Sequence, residues 1–143
     1  MRIAIGCDHA GYVVKEKIKE YLSSKSIFKI TDVGTHSLDS VDYPEFGHKV
    51  GLKVSNGDVD NGIVVCGSGI GISIAANKIN GVRAALCTSK NHAEMSRKHN
   101  DANILALGAR MTSLVDIYDI IDIWFETAFE NGRHLKRIKL IEL

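Results

Sequence analysis

Residues 62 to 71 read Gly62-Ile63-Val64-Val65-Cys66-Gly67-Ser68-Gly69-Ile70-Gly71. A β-branched apolar run stops at a cysteine, and three glycines then alternate with Ser68 and Ile70. The pattern is that of a strand turning through a glycine loop into a helix over about residues 70–78. A thiol at that junction stands beside accessible backbone N–H groups. The pairing suits a reaction in which Cys66 removes a proton and the glycine amides stabilise charge on a neighbouring oxygen. The plainer alternative is a buried strand-end cysteine beside a turn that needs glycine.

Working outward, four more short apolar runs occur at residues 3–5, 28–33, 84–87 and 104–107, each followed by glycine or a small polar residue. Helical periodicity fills the gaps, as in Val14, Ile18, Tyr21 and Leu22 on one face after the first run. Strand and helix therefore alternate, which implies right-handed crossovers. The predicted fold is α/β: a single-domain, three-layer αβα sandwich with a five-stranded parallel, Rossmann-like sheet. Pro44 is the only proline and no repeat or low-complexity linker interrupts the chain, so one domain spans residues 1–143. A late helix over about residues 114–129 is apolar around most of its circumference, with Asp116, Asp119, Asp122 and Glu126 as its wet stripe, and should contact more than one element. The segment over about residues 130–143 mixes cations with Leu135, Ile138, Leu140, Ile141 and Leu143, and should dock on its own domain or on a partner subunit.

With 45% apolar residues, 24% charged residues and a net charge of +1, the composition is that of an ordinary globular protein without a nucleic-acid footprint. No run has the length of a membrane span. Cys7, Cys66 and Cys87 are odd in number and lack metal-site spacing, which favours reduced thiols and argues against a disulfide framework or a structural zinc. The expected location is cytoplasmic, with no nucleic-acid or membrane partner.

Ligands of open α/β sheets bind beyond the carboxyl ends of the strands. Asp8, His9 and Gly11 follow the first run, Cys66 and its glycines the third, and Gly108 and Arg110 the fifth, so a carboxylate, an imidazole, a thiol and a guanidinium should meet on one rim. The glycine loop lacks the third glycine of a dinucleotide fingerprint, Ile72 standing in its place, and lacks the Gly-Lys-Ser/Thr ending of a P-loop. A general anion cradle at a helix start remains. Asp8 could instead cap the first helix, and His99 with Asn100 could close a helix over about residues 89–98. Arg133 and Arg137, four apart with His134 between them, suit a phosphate monoester or simply form a solvated face. His36, His48 and His92 read as surface residues.

Taken together, several segments resemble ribose-5-phosphate isomerase type B, in the group of sugar-phosphate isomerases that includes the galactose- and allose-6-phosphate enzymes. They are residues 6–11 (Gly-Cys-Asp-His-Ala-Gly), Asp42-Tyr43-Pro44, residues 66–73, Ala75-Ala76-Asn77-Lys78, residues 99–103 (His-Asn-Asp-Ala-Asn), Leu107-Gly108-Ala109-Arg110 and Gly132-Arg133-His134. The resemblance runs nearly end to end. It implies an aldose–ketose isomerase interconverting ribose 5-phosphate and ribulose 5-phosphate in the non-oxidative pentose phosphate pathway. It also implies no metal, no organic cofactor, and a homodimer or dimer of dimers with interfacial active sites. By position, Cys66 would be the base, with Ser68 polarising its thiol. His99 and Asp8 would open the sugar ring. Asp8, His9, Tyr43, Gly67, Ser68, Gly69, Ile70, Gly71, Asn100 and His134 would bind the substrate, and Arg110, Arg133 and Arg137 would hold its phosphate. One branch of the family carries a glutamate base where Ile72 stands here, which places this chain in the cysteine branch. Two departures are slight: Ser68 replaces a common threonine, and Asn131 a common glycine. A six-carbon sugar phosphate remains an alternative substrate. A flavodoxin-like module that holds a phosphate or flavin without turnover is the alternative of another class.

Overall fold

A computed structural model describes residues 1–142; Leu143, one of the apolar tail positions, lies outside the described residues. The elements follow in the order β1 (Arg2–Cys7), α1 (Tyr12–Ser23), β2 (Lys29–Asp32), α2 (Tyr43–Ser55), β3 (Asn61–Cys66), α3 (Ile70–Ala76), β4 (Ala84–Leu86), α4 (Lys90–Asn100), β5 (Ile104–Gly108), α5 (Leu114–Glu126) and α6 (Arg133–Ile138). The five strands form one parallel sheet in the order β2-β1-β3-β5-β4. The chain leaves β1 toward β2 on one side and returns to lay β3 on the other. Strand order thus reverses between β1 and β3, and the crevice of an open α/β sheet lies at such a point.

The central strands are apolar at consecutive positions because both their faces are covered. Ile3, Ile5 and Cys7 of β1, Ile63 and Val65 of β3, and Leu105 and Leu107 of β5 point to one side. There they meet Ile18 and Leu22 of α1, Ala93 of α4, and Ile117, Ile120, Ile121 and Trp124 of α5. The intervening residues Ala4, Val64, Cys66, Ile104 and Ala106 point the other way, onto Phe46 and Val50 of α2 and Ile72 and Ala76 of α3. The period-2 geometry of a strand thus sends the sulfurs of Cys7 and Cys66 to opposite faces. All three cysteines are free and buried.

Helix α5 packs on both α4 and α1, in line with its broad apolar surface. It ends at Glu126, three residues before the expected position. Thr127 turns to extended backbone and its hydroxyl donates to the Ile123 carbonyl at 2.6 Å, closing the helix there. The wet stripe is spent on ion pairs: Asp122 takes Lys25 and the Tyr21 hydroxyl, and Asp119 takes Lys90. The tail docks only in part. Helix α6 lies against α4, yet Leu140 and Ile141 remain exposed. Among the described residues no helix is long and apolar enough to cross a membrane.

Candidate active site

The carboxyl ends of β1, β3 and β5 open onto a cavity of about 400 Å³ lined by Asp8, His9, Ala10, Tyr43, Cys66, Gly67, Ser68, Gly71, Arg110 and Met111. Cys66 ends β3, and its residue is 4% exposed, on the cavity side. The loop behind it is shaped by Gly69, which takes φ +77° and would place a Cβ 2.6 Å from Leu86 and 2.8 Å from the Leu107 backbone. Only glycine fits there without displacing the sheet. The sharp turn aims the Gly69 N–H at Sγ of Cys66, 3.1 Å away, and the Ile70 N–H at the Ser68 hydroxyl, 3.2 Å away. An N–H aimed at sulfur is placed to meet the charge of a thiolate. The other two thiols are closed off: burial pushes Cys7 up to about 12 and Cys87 up to about 11.

Asp8 sits directly after β1, buried, and its Oδ1 accepts the Gly11 N–H at 3.0 Å. The residue at the N-cap of α1 is Gly11, not Asp8. Asp8 closes the turn before the helix and keeps its second oxygen for the cavity. His9 is fixed through Nδ1, which lies 3.2 Å from both the N and O of Val41, so Nε2 is the nitrogen left for a ligand. Tyr43 begins α2 and lies across Gly71, where an added Cβ would come 2.6 Å from the ring. Arg110 follows β5, its N–H donating to the Gly67 carbonyl at 2.9 Å, and is exposed at the rim.

The remaining predicted site residues lie elsewhere. His99, Asn100, His134 and Arg137 line a second cavity of about 390 Å³ with Ile138 and Ile141, and Arg133 opens α6 beside it. The C-cap of α4 is Asp101 in left-handed conformation, not Asn100. Arg83 secures that end by donating to the carbonyls of Asn100 and Asp101 at 3.0 and 2.9 Å, so capping does not consume the Asn100 side chain. The His99 and His134 rings stack at 4.4 Å with 13° between planes. Asn131 adopts φ +62°, a conformation asparagine tolerates better than most residues. His36, His48 and His92 are exposed, as expected.

Sequence reading missed Ala10 and Met111 in the first cavity and Glu130 beside the second. The first two carry no chemical signal. Glu130 could have been found from its i, i+4 spacing to His134. His99, Glu130 and His134 bring three donor atoms within 4.8 Å of one another, the one such group among the described residues. Face-to-face rings point poorly toward a common ion, and Arg133 and Arg137 place two cations nearby.

The model of the ribose/galactose isomerase family matches residues 3–141 of the chain. The chain belongs to the ribose/galactose isomerase family. Ribose-5-phosphate isomerase B of Escherichia coli K12 is 44% identical over 140 residues, covering 98% of this chain and 93% of that protein. The structure of Clostridium thermocellum ribose-5-phosphate isomerase B superposes with a TM-score of 0.97 at 52% identity, covering 99% and 95% of the two chains. The Mycoplasma genitalium ribose-5-phosphate isomerase B, solved with bound ribulose 5-phosphate, superposes at 0.93 with 41% identity, covering 98% and 93%. Those structures share the five-stranded parallel sheet found here.

Proposed function

We propose that the chain interconverts ribose 5-phosphate and ribulose 5-phosphate, with Cys66 as the base. The observation that carries this reading is the Gly69 N–H on Cys66 Sγ at the wall of a cavity that also holds Asp8, His9 and Arg110. The similarity to ribose-5-phosphate isomerases over nearly the whole chain supports it.

Ribose 5-phosphate is mostly a closed ring. Asp8 takes the proton of the anomeric hydroxyl while His99 gives one to the ring oxygen; the C1 carbonyl forms as the C1 to ring-oxygen bond breaks. Cys66 as thiolate then removes the C2 proton and O1 takes the charge of a C1–C2 enediolate; the O2 hydroxyl proton passes to O1, and the thiol returns its proton to C1 as the C2 carbonyl forms. The developing oxyanion faces the loop amides of residues 67–71, fixed in place before reaction. Arg110 with Arg133 and Arg137 holds the phosphate through charge-assisted hydrogen bonds. A thiol of ordinary pKa near 8.5 is only about 3% ionised at pH 7, which is why an N–H at sulfur matters for the rate.

Within one chain His99, Asn100, Arg133 and Arg137 stand apart from the Cys66 cavity. The reading therefore requires two copies, the α4–α6 cavity of one facing the Cys66 cavity of the other. Both surfaces carry exposed apolar side chains suited to burial: Tyr43, Ile70 and Met111 at the first, Leu140 and Ile141 at the second. The tail segment would then dock on the partner. Isomer formation from ribose 5-phosphate, allose 6-phosphate and galactose 6-phosphate, assayed in parallel with purified protein, tests the substrate. Turnover of the pentose phosphate in clear excess supports the reading, and preference for a hexose phosphate refutes its substrate. Binding without turnover of any of them favours the non-catalytic module.

A further inference from the structure

The stacked imidazoles are accompanied by a carboxylate that the reaction sequence above leaves without a role. His99 lies in the last turn of α4 and His134 in the first turn of α6. Glu130 Oε2 is 3.6 Å from His134 Nε2, and the donor atoms of Glu130, His99 and His134 all lie within 4.8 Å. The Glu130 N–H donates to the Lys98 carbonyl at 3.1 Å, so the same helix that carries His99 sets where the carboxylate stands.

The charges facing this pair come from α6, from α4 and from the segment between α5 and α6 that carries Glu130. Arg133 and Arg137 on α6 oppose a proton on the imidazoles, and Lys98 on α4 is itself paired with Glu94 at 2.5 Å. Burial, then His99 and Arg133, hold His134 below the ordinary imidazole range, and Glu130 is the group that works in the other direction. Two imidazoles face to face do not both charge easily, because each cation raises the cost of the other. A single proton on the pair is the state a single carboxylate can support.

We propose that Glu130 is a positioning residue for ring opening, holding one proton on the His99–His134 pair from which His99 protonates the ring oxygen. This rests on the proposed isomerase reading. Ring opening of the aldose and its closure in the reverse reaction pass through the same proton transfer. Loss of Glu130 therefore slows both directions, most at alkaline pH where the pair keeps its proton least well.

The test compares wild type, Glu130→Gln and Glu130→Asp of the full chain, with kcat measured in both directions across mildly acidic to mildly alkaline pH. Glu130→Gln is expected to lower the aldose-to-ketose kcat about threefold at alkaline pH. The alkaline limb of that profile moves down by about half a pH unit, the size expected of one half-exposed charge about 5 Å away. The ketose-to-aldose rate falls with it, and Glu130→Asp, which keeps the charge, restores most of both rates. An unmoved alkaline limb, or a loss that Glu130→Asp does not rescue, overturns the proposal. Cys66→Ala is assayed alongside: if it remains active in both directions the isomerase mechanism itself is wrong, whatever Glu130 does.

Discussion

The Gly69 N–H donates to Sγ of Cys66 across 3.1 Å. Gly69 can reach that position because its backbone is left-handed and its missing Cβ leaves room for Leu86 and Leu107. Cys7 and Cys87, in contrast, are 0% exposed within the core on the other face of the sheet. Reactivity of the three thiols should separate accordingly. Under native conditions an alkylating reagent is expected to modify one thiol per chain, with peptide mapping placing it at Cys66, and all three after denaturation. Sugar phosphate should slow the native reaction. Native labelling at Cys7 or Cys87 would contradict the assignment of faces.

Two glycines of the same loop predict different losses. Gly69→Ala forces both a left-handed alanine and a clash with the Leu107 backbone, and should cost about 3 kcal/mol or more. Gly71→Ala meets only the ring of Tyr43, which is 41% exposed and able to move. Its denaturation midpoint should shift by no more than about 1 kcal/mol in stability, whereas displacement of Tyr43 raises KM about tenfold. Urea unfolding and steady-state kinetics of the two variants check both statements.

Lys15 is fully buried and pairs with Asp32, whose side chain is 14% exposed and also takes Lys19 at 2.6 Å. Burial works to raise the Asp32 carboxyl, but hydrogen bonds from Lys15, Lys19 and the Gly34 N–H outweigh it and hold it below its usual range. The stability it contributes is therefore complete above the ordinary carboxylate pKa of about 4 and is lost as pH falls through the lower folded value. Wild-type urea midpoints should fall in that acid range, and those of Asp32→Asn should fall less. Lys15→Met at neutral pH should cost about 3 kcal/mol, the low end for breaking a buried pair because Lys19 remains.

Completion of each site by a second copy predicts complementation. Cys66→Ala and Arg137→Ala should each be inactive or nearly so, since one damages the Cys66 cavity and the other the α4–α6 cavity of every chain. Random mixing in a coexpressed pair makes half the dimers heterodimers, each with one intact site, so about a quarter of wild-type activity should return. An activity equal to the average of the two single variants would mean that each chain builds its site alone.

The parts of this protein legible in its sequence are those set by local chemistry. The run from Ile63 to Cys66 and the glycines after it announce a strand, its tip and its loop, because β-branching and positive φ are local demands. Asp8, His9 and Arg110 could be placed on the same rim since strand ends in a parallel sheet share one edge. The caps were harder: Asp101 ends α4 because Arg83, distant in sequence, clamps the carbonyls there, and Thr127 ends α5 through its own hydroxyl. Lys15 gave no sign of burial, since only the fold brings Asp32 to it. The grouping of His99 with Glu130 and His134, apart from Cys66, depends on how α6 returns to α4, and no spacing within either motif encodes that return.

The central claim is that the Cys66 sulfur moves the proton. The most direct measurement incubates ribose 5-phosphate in heavy water with wild type and with Cys66→Ala, following both ribulose 5-phosphate formation and deuterium entering the C2 position by NMR, with circular dichroism to verify folding. Wild type should isomerise and exchange, and the variant should stay folded while both rates fall by about a thousandfold or more. A folded Cys66→Ala protein that isomerises or exchanges at the wild-type rate would contradict the account.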